Sequence, residues 1–320
     1  MKMKWTLYAV VLPGLAVIGL AGMGGCGGSD QKHDAVIGVS VLTKSNPFFN
    51  ELADAIAEEA AKHHYKVIVT DGNNQQVTQD QQVDDFITKQ VDAIVLCPCD
   101  SKAVGATVVK ANRAGIPVFT ADIASLSDKG EVVCHVATDN LGGGRAAAEA
   151  VIEMLRGKGK IAILDFPEVE SVIQRTTGFH EKIKEAPGIQ VVTTLPGGGD
   201  EARSADAAKD ILQSHQDLDG FFCVNDPSAM GAINAVQDVG RTGRVRVVGF
   251  DAQLFAREAV RDGTLYATIV QYPRKIGATV AERVHRHLVG KKVEPEILIP
   301  VSIYRMADAD EDPLLEKKKE

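Results

Sequence analysis

The sequence is short of the features that mark nucleic-acid binders, membrane-spanning proteins and most enzymes. Basic residues are not in excess: 35 Lys and Arg stand against 43 Asp and Glu, a formal charge of −8. A chain that grips nucleic acid or an anionic membrane presents a basic face, so this balance argues against both and reads as a solvated acidic surface. Only one apolar run has any length, Leu7 to Leu20, and it falls below the roughly 20 apolar residues that a spanning helix needs. Metal and redox spacing is missing as well. Cys97-Pro98-Cys99 puts one residue between two cysteines, and no second Cys/His cluster answers it. Leu141-Gly142-Gly143-Gly144-Arg145 lacks the Lys-Ser/Thr of a phosphate loop and does not fit G-x-G-x-x-G, so helix packing is the better account. His63-His64 and His285-His287 fall on polar helix ends and read as solvated surface. No Ser-His-Asp or paired catalytic carboxylates have a supporting context, so no enzymatic activity, cofactor or metal is expected.

What is there begins with an export signal over residues 1–25: Lys2 and Lys4, then the apolar run, then small residues. Cys26 follows directly and is a candidate for lipidation, although Met23 stands where lipoprotein signals usually carry Leu. An ordinary cleaved signal is the alternative. The expected location is therefore periplasmic or extracytoplasmic, with a membrane anchor if Cys26 is acylated. The remaining chain of about 295 residues is long enough for two domains. Cys97, Cys99, Cys134 and Cys223 each lie in or beside an apolar run and are expected as buried free thiols.

From residue 35 to about residue 305, apolar runs alternate with segments of helical period, the pattern of an α/β protein with parallel sheets. Strands are predicted at 36–42, 67–70, 93–97, 117–121, 132–137, 160–164, 190–195, 220–224, 245–251 and 267–270. Their near-continuous hydrophobicity fits strands covered on both faces, and the predicted topology is doubly wound. Ser101 is read as the cap of a helix ending at Gly115-Ile116-Pro117, and Asp226-Pro227 as the opening of one ending near Gly240. The charged tail, residues 308–320, is expected to fray.

Ligands of open α/β sheets bind beyond the carboxyl ends of the strands. The polar residues there are Ser45-Asn46-Pro47-Phe48-Phe49, Asp122, Thr138-Asp139-Asn140, Asn225-Asp226, Asp251 and Gln271. Carboxylates, amides and an aromatic pair suit a sugar, whose hydroxyls donate and accept while its ring face is apolar. Turn or helix-capping chemistry is the competing account for Asp139, Asn140 and Asp226.

Ordered stretches now carry a resemblance: Asn46-Pro47-Phe48-Phe49, Asp100-Ser101-Lys102-Ala103-Val104-Gly105, Gly115-Ile116-Pro117-Val118, Ala137-Thr138-Asp139-Asn140, Gly178-Phe179, Asn225-Asp226, Met230-Gly231-Ala232, Val248-Gly249-Phe250-Asp251 and Ala267-Thr268-Ile269-Val270-Gln271. Over nearly the whole chain beyond the signal, the sequence resembles the ribose-binding family of type I periplasmic sugar-binding proteins. The resemblance implies two doubly wound lobes joined by a three-segment hinge, with crossings near residues 138, 271 and 300. The first lobe would take 35–138 plus 272–300 and the second 139–271 plus 301–307. It implies that Asn46 and Asp122 bind hydroxyls from the first lobe, with Phe48 and Phe49 against the ring. Arg175, Asn225, Asp251 and Gln271 would answer from the second lobe, with Phe250 beside Asp251 and Thr138 at the first crossing.

Departures from the family bear on ligand identity. Cys97 stands where ribose-type binders carry Asn, and Ile123 where they carry Arg. The loop Pro196-Gly197-Gly198-Gly199-Asp200 has no aromatic where the family supplies a stacking wall. A pocket less polar than ribose requires is expected on the first-lobe side, suited to a deoxy sugar or small polyol. The implied function is a monomeric solute-binding protein that closes on its ligand and presents it to an ABC transporter permease. A chemoreceptor or sensor kinase is the alternative partner. Transcription repressors share the fold but carry an amino-terminal DNA-binding motif, and here an export signal occupies that place.

Overall fold

A computed structural model describes residues 34–315; the signal segment and Cys26 lie outside that range. The first half of the described chain runs β1 (Ala35–Val41), α1 (Pro47–Ala61), β2 (Tyr65–Asp71), α2 (Gln76–Thr88), β3 (Ala93–Leu96), α3 (Gly105–Arg113), β4 (Val118–Ala121) and β5 (Val132–Thr138). A second β/α series follows: α4 (Asn140–Leu155), β6 (Gly159–Asp165), α5 (Glu170–Ile183), β7 (Ile189–Pro196), α6 (Glu201–Ser214), β8 (Gly220–Cys223), α7 (Asp226–Asp238), β9 (Arg246–Asp251), α8 (Leu254–Arg261) and β10 (Ala267–Val270). The chain then returns through α9 (Pro273–Leu288), β11 (Glu296–Ile299), β12 (Ser302–Tyr304) and α10 (Met306–Glu311).

These strands form two six-stranded sheets, ordered β2-β1-β3-β4-β5-β11 and β7-β6-β8-β9-β10-β12. All pairings are parallel except β10 with β12. Helices on both faces explain why the inner strands are apolar along their length: every residue of β3, β4, β8 and β10 is buried. The chain passes between the sheets after Thr138, after Val270, and between Ile299 and Ser302. Helix α9 comes back to pack on α1, β4 and β5 of the first lobe. Among the described residues no helix is long and apolar enough to cross a membrane.

The glycine run is packing, as its lack of phosphate-loop residues implied. Asp139 caps α4 by accepting from the amide of Gly142 at 2.9 Å. A Cβ on Gly144 would strike the Arg175 carbonyl, and one on Gly178 the Leu141 carbonyl. Only glycine lets α4 and α5 approach this closely.

Several sequence expectations give way. The edge strands β11 and β12 were not anticipated. Ser101 does not cap α3, whose preceding turn is held by Asp100 Oδ1 accepting from the amides of Lys102 and Ala103, each at 2.8 Å. The tail is packed as far as Leu315: Asp312 accepts from Tyr304 Oη at 2.8 Å and pairs with Arg257 at 3.1 Å, while Ala309 and Leu315 are buried. His63 is half-buried, stacked on His285 with ring centroids 3.5 Å apart, and His287 meets the edge of Phe119. Cys97, Cys99, Cys134 and Cys223 are free and buried.

Candidate ligand-binding site

Both sheets have their switch point beside the first strand of the series, between β1 and β3 and between β6 and β8. The loops leaving the carboxyl ends of these strands converge on one cavity of about 360 Å³, at the small end of the roughly 300–1,000 Å³ usual for ligand pockets. Asn46, Phe48, Phe49, Asp122 and Ile123 line it from the first lobe; Arg175, Asn225, Asp251 and Gln271 line it from the second. Of the candidates named from sequence, Thr138, Phe250 and Cys97 stand behind the wall.

Helix starts position the amides. Asn46 caps α1, its Oδ1 accepting from the Phe48 amide at 3.0 Å, which turns Phe48 and Phe49 into an edge-to-face pair with centroids 5.1 Å apart. Asn225 caps α7 in the same way through Ser228 and also donates to the Gly199 carbonyl at 2.9 Å.

The two wall carboxylates sit on unusual backbone. Asp122 has φ 65° and Asp251 φ 120°, conformations that cost a non-glycine residue energy and persist where the surroundings over-determine them. Asp251 Oδ1 accepts from Gln271 Nε2 at 2.6 Å, and Gln271 Oε1 accepts from Thr138 Oγ1 at 2.6 Å. Thr138 thus joins the first crossing to the site. Asp122 is 3% exposed, and its Oδ1 has no hydrogen-bond partner.

Arg175 is the buried cation among these acids. Its Nε donates to Asn140 Oδ1 and a terminal nitrogen to the Val224 carbonyl, both at 2.8 Å. It lies 3.7 Å from Asp251 Oδ1, and the guanidinium stacks on Phe250 at 3.9 Å. Burial pushes the Asp122 carboxyl up to about 7; Arg175 opposes the shift, and Asp251 and Glu170 add to it. Burial likewise raises Asp251 to about 6 against the pull of Arg175. Asp226 is raised by burial and by Asp251, and is held by Thr268 Oγ1 and the Gln253 amide. Helix capping accounts for Asp139 alone; Asn140 instead holds Arg175 from behind the wall, and Asp226 is held by long-range bonds to Thr268 and Gln253. The Cys97 thiol is raised by burial and then by the nearby Asp122 charge.

Sequence reasoning missed three features. Phe166, directly after β6, lines the cavity from the second lobe and packs near Gly199, so an aromatic wall is present despite the bare glycine loop. Gln253 bridges the lobes by donating to Asn46 Oδ1 at 2.5 Å. Ser101 bridges them outside the cavity: its amide donates to the Glu168 carbonyl at 3.1 Å, and its hydroxyl accepts from the Glu170 amide at 2.9 Å.

Residues 37–292 match the periplasmic binding protein domain. The chain belongs to the periplasmic binding protein family. This periplasmic binding protein is 35% identical over 276 residues to the ribose import binding protein of Bacillus subtilis, covering 86% of this chain and 88% of that one. It is 31% identical over 252 residues to the D-allose-binding periplasmic protein of Escherichia coli, covering 75% and 80%. Among solved structures it is similar to an ABC transporter solute-binding protein from Bacillus halodurans with bound myo-inositol: 30% identity, TM-score 0.79, and coverage of 88% of this chain and 98% of that one. Membership puts this periplasmic binding protein among extracytoplasmic solute-binding proteins.

Proposed function

We propose that the protein captures a monosaccharide or small polyol between its two lobes and hands it to the permease of an ABC import system. One observation carries the assignment to this cleft. The Asp122 carboxylate lines the cavity, is almost wholly buried, and has an oxygen without a donor. Buried acceptors are nearly always satisfied, and a ligand hydroxyl is the donor that fits. Asn46 and Asp122 would hold hydroxyls from one side, and Arg175, Asn225, Asp251 and Gln271 from the other. Phe48, Phe49 and Phe166 would cover the apolar ring faces. Each charge-assisted hydrogen bond is worth roughly 1.5–3 kcal/mol net, so a few of them support micromolar or tighter binding.

Because each lobe carries half the contacts, only the closed form offers all of them, and ligand shifts the population toward closure. The permease then meets a changed outer surface. Relatives named for ribose and allose import, and a neighbour holding myo-inositol, support this ligand class and this partner. A chemoreceptor or sensor kinase would use the same closure. Cys26, if acylated, would tether the protein to the membrane it serves.

A thermal-shift and calorimetric screen across pentoses, hexoses, deoxy sugars and polyols tests the assignment. Saturable 1:1 binding is expected, lost on Asp122→Ala and on Asp251→Ala. Binding that survives both substitutions would show that the site lies elsewhere.

A further inference from the structure

Charge in the cleft is out of balance. Two buried carboxylates, Asp122 and Asp251, line it, Asp200 and Glu201 stand exposed at its rim, and among the described residues Arg175 is the one cation in the wall. Arg175 is already engaged with Asn140, Val224 and Asp251. Two further acids, Glu170 and Asp226, are buried behind the wall. Beside Asp122 stands Ile123, buried and without a donor.

A ligand with hydroxyls alone leaves this excess in place, and a buried charge without a counter-charge is costly. Four phenylalanines, Phe48, Phe49, Phe166 and Phe255, line the same cavity, and aromatic faces attract cations. Among the described residues no three His, Cys, Asp or Glu side chains come together as a metal cage would require. The wall therefore calls for an organic cation that also carries hydroxyls.

We propose that the ligand is a small polyhydroxylated amine, an amino sugar or amino polyol, whose ammonium group pairs with Asp122 while Asn225, Asp251 and Gln271 read its hydroxyls. The proposal deepens the assignment of the cleft to a sugar-type ligand and rests on it. An ammonium supplies the donor that Asp122 Oδ1 lacks and offsets part of the excess charge. It also gives the raised Asp122 carboxyl, about 7 in the empty site, a partner that favours ionisation. The groups acting on that carboxyl are Arg175, which favours its charge, and Asp251 and Glu170, which oppose it; the Cys97 thiol lies close by.

Isothermal titration calorimetry with matched pairs tests this. Glucosamine, galactosamine, mannosamine and 1-amino-1-deoxyglucitol are each titrated beside the neutral parent at pH 7.5 and pH 5.5. At least one amine is expected to bind tenfold or more tightly than its parent at pH 7.5. Its affinity should fall about tenfold at pH 5.5, where Asp122 is protonated, while the parent changes less than threefold. In Asp122→Asn, which keeps the shape and drops the charge, the preference should shrink to within threefold. The wild-type comparison decides alone if that variant is unstable. A neutral sugar or polyol that binds while no amine exceeds its parent would overturn the proposal and leave the sugar-type assignment standing. If no member of either series binds, that assignment falls and the proposal falls with it.

Discussion

Asp122→Asn tests the electrostatics of the empty cleft independently of any ligand. The side chain keeps its shape, and Asn tolerates the positive φ of 65° at this position better than most residues. In the folded wild type, burial lifts the carboxyl from an ordinary value of 3.8 to about 7. A raised carboxyl means that the folded protein holds its proton more tightly than the unfolded chain does. The stability linked to that proton is fully present below about pH 4 and is lost as pH rises through 7. Above pH 7 the fold carries a buried charge. Each tenfold gain in proton affinity corresponds to about 1.4 kcal/mol, so ionising the folded form costs on the order of 4 kcal/mol. Water reaches the side chain whenever the lobes part, so this figure is an upper bound. Urea unfolding of both proteins at pH 5, 6, 7 and 8 without ligand reads the difference. The Asn variant is expected to gain on the wild type steadily from pH 5 to pH 8, by up to about 3 kcal/mol, while losing ligand affinity. Parallel stability profiles for the two proteins would refute the reasoning, because a solvated Asp122 would produce them.

Three other perturbations probe separate parts of the structure. Ser101→Ala removes the acceptor for the Glu170 amide; at about 0.5–1.5 kcal/mol per hydrogen bond, ligand affinity should drop roughly threefold to tenfold. Stopped-flow dissociation should account for most of that loss, with the urea midpoint unchanged. Gly144→Ala drives a methyl into the Arg175 carbonyl and should destabilise by about 1–3 kcal/mol, visible as a fall of several degrees in Tm. Arg175→Met strips Asp251 of its counter-charge and should cost about 3–5 kcal/mol at pH 8. The loss should be smaller at pH 5, below the value of about 6 to which burial raises Asp251, and denaturation at the two pH values would show it.

The inner strands were legible because burial on both faces writes them as unbroken apolar runs, and the edge strands β2 and β7 because they keep a short run of β-branched residues. β11 and β12 escaped for the opposite reason. They are edge strands of four and three residues, and β11 alternates exposure instead of being buried throughout. At the site, polar residues at strand ends pointed to the wall, yet Phe166, which directly follows Asp165 at the end of β6, is apolar and was passed over. Asp122 and Ile123 were readable as a pair; the unpaired oxygen of Asp122 was not, since it depends on where Arg175 spends its donors. Thr138, Phe250 and Cys97 show the limit of reading residue roles from position alone. Each is one layer behind the wall, and spacing along a strand does not distinguish the two layers. Ser101 reads as a cap because a serine before a helix usually is one, whereas here α3 has no side-chain cap, Asp100 holds the preceding turn, and the Ser101 hydroxyl is left for the opposite lobe.

The order in which the chain is made gives the crossings a further meaning. The first lobe needs α9 against α1 and β11 beside β5, and both arrive only after the whole second β/α series has been synthesised. Until residue 299 has emerged, the early strands lack their last edge partner and the face of α1 lacks its cover. Contacts over such separations form slowly, because a long loop must close first. Neither lobe can be completed before the last crossing is made, since β12 and α10, which finish the second lobe, follow directly on β11.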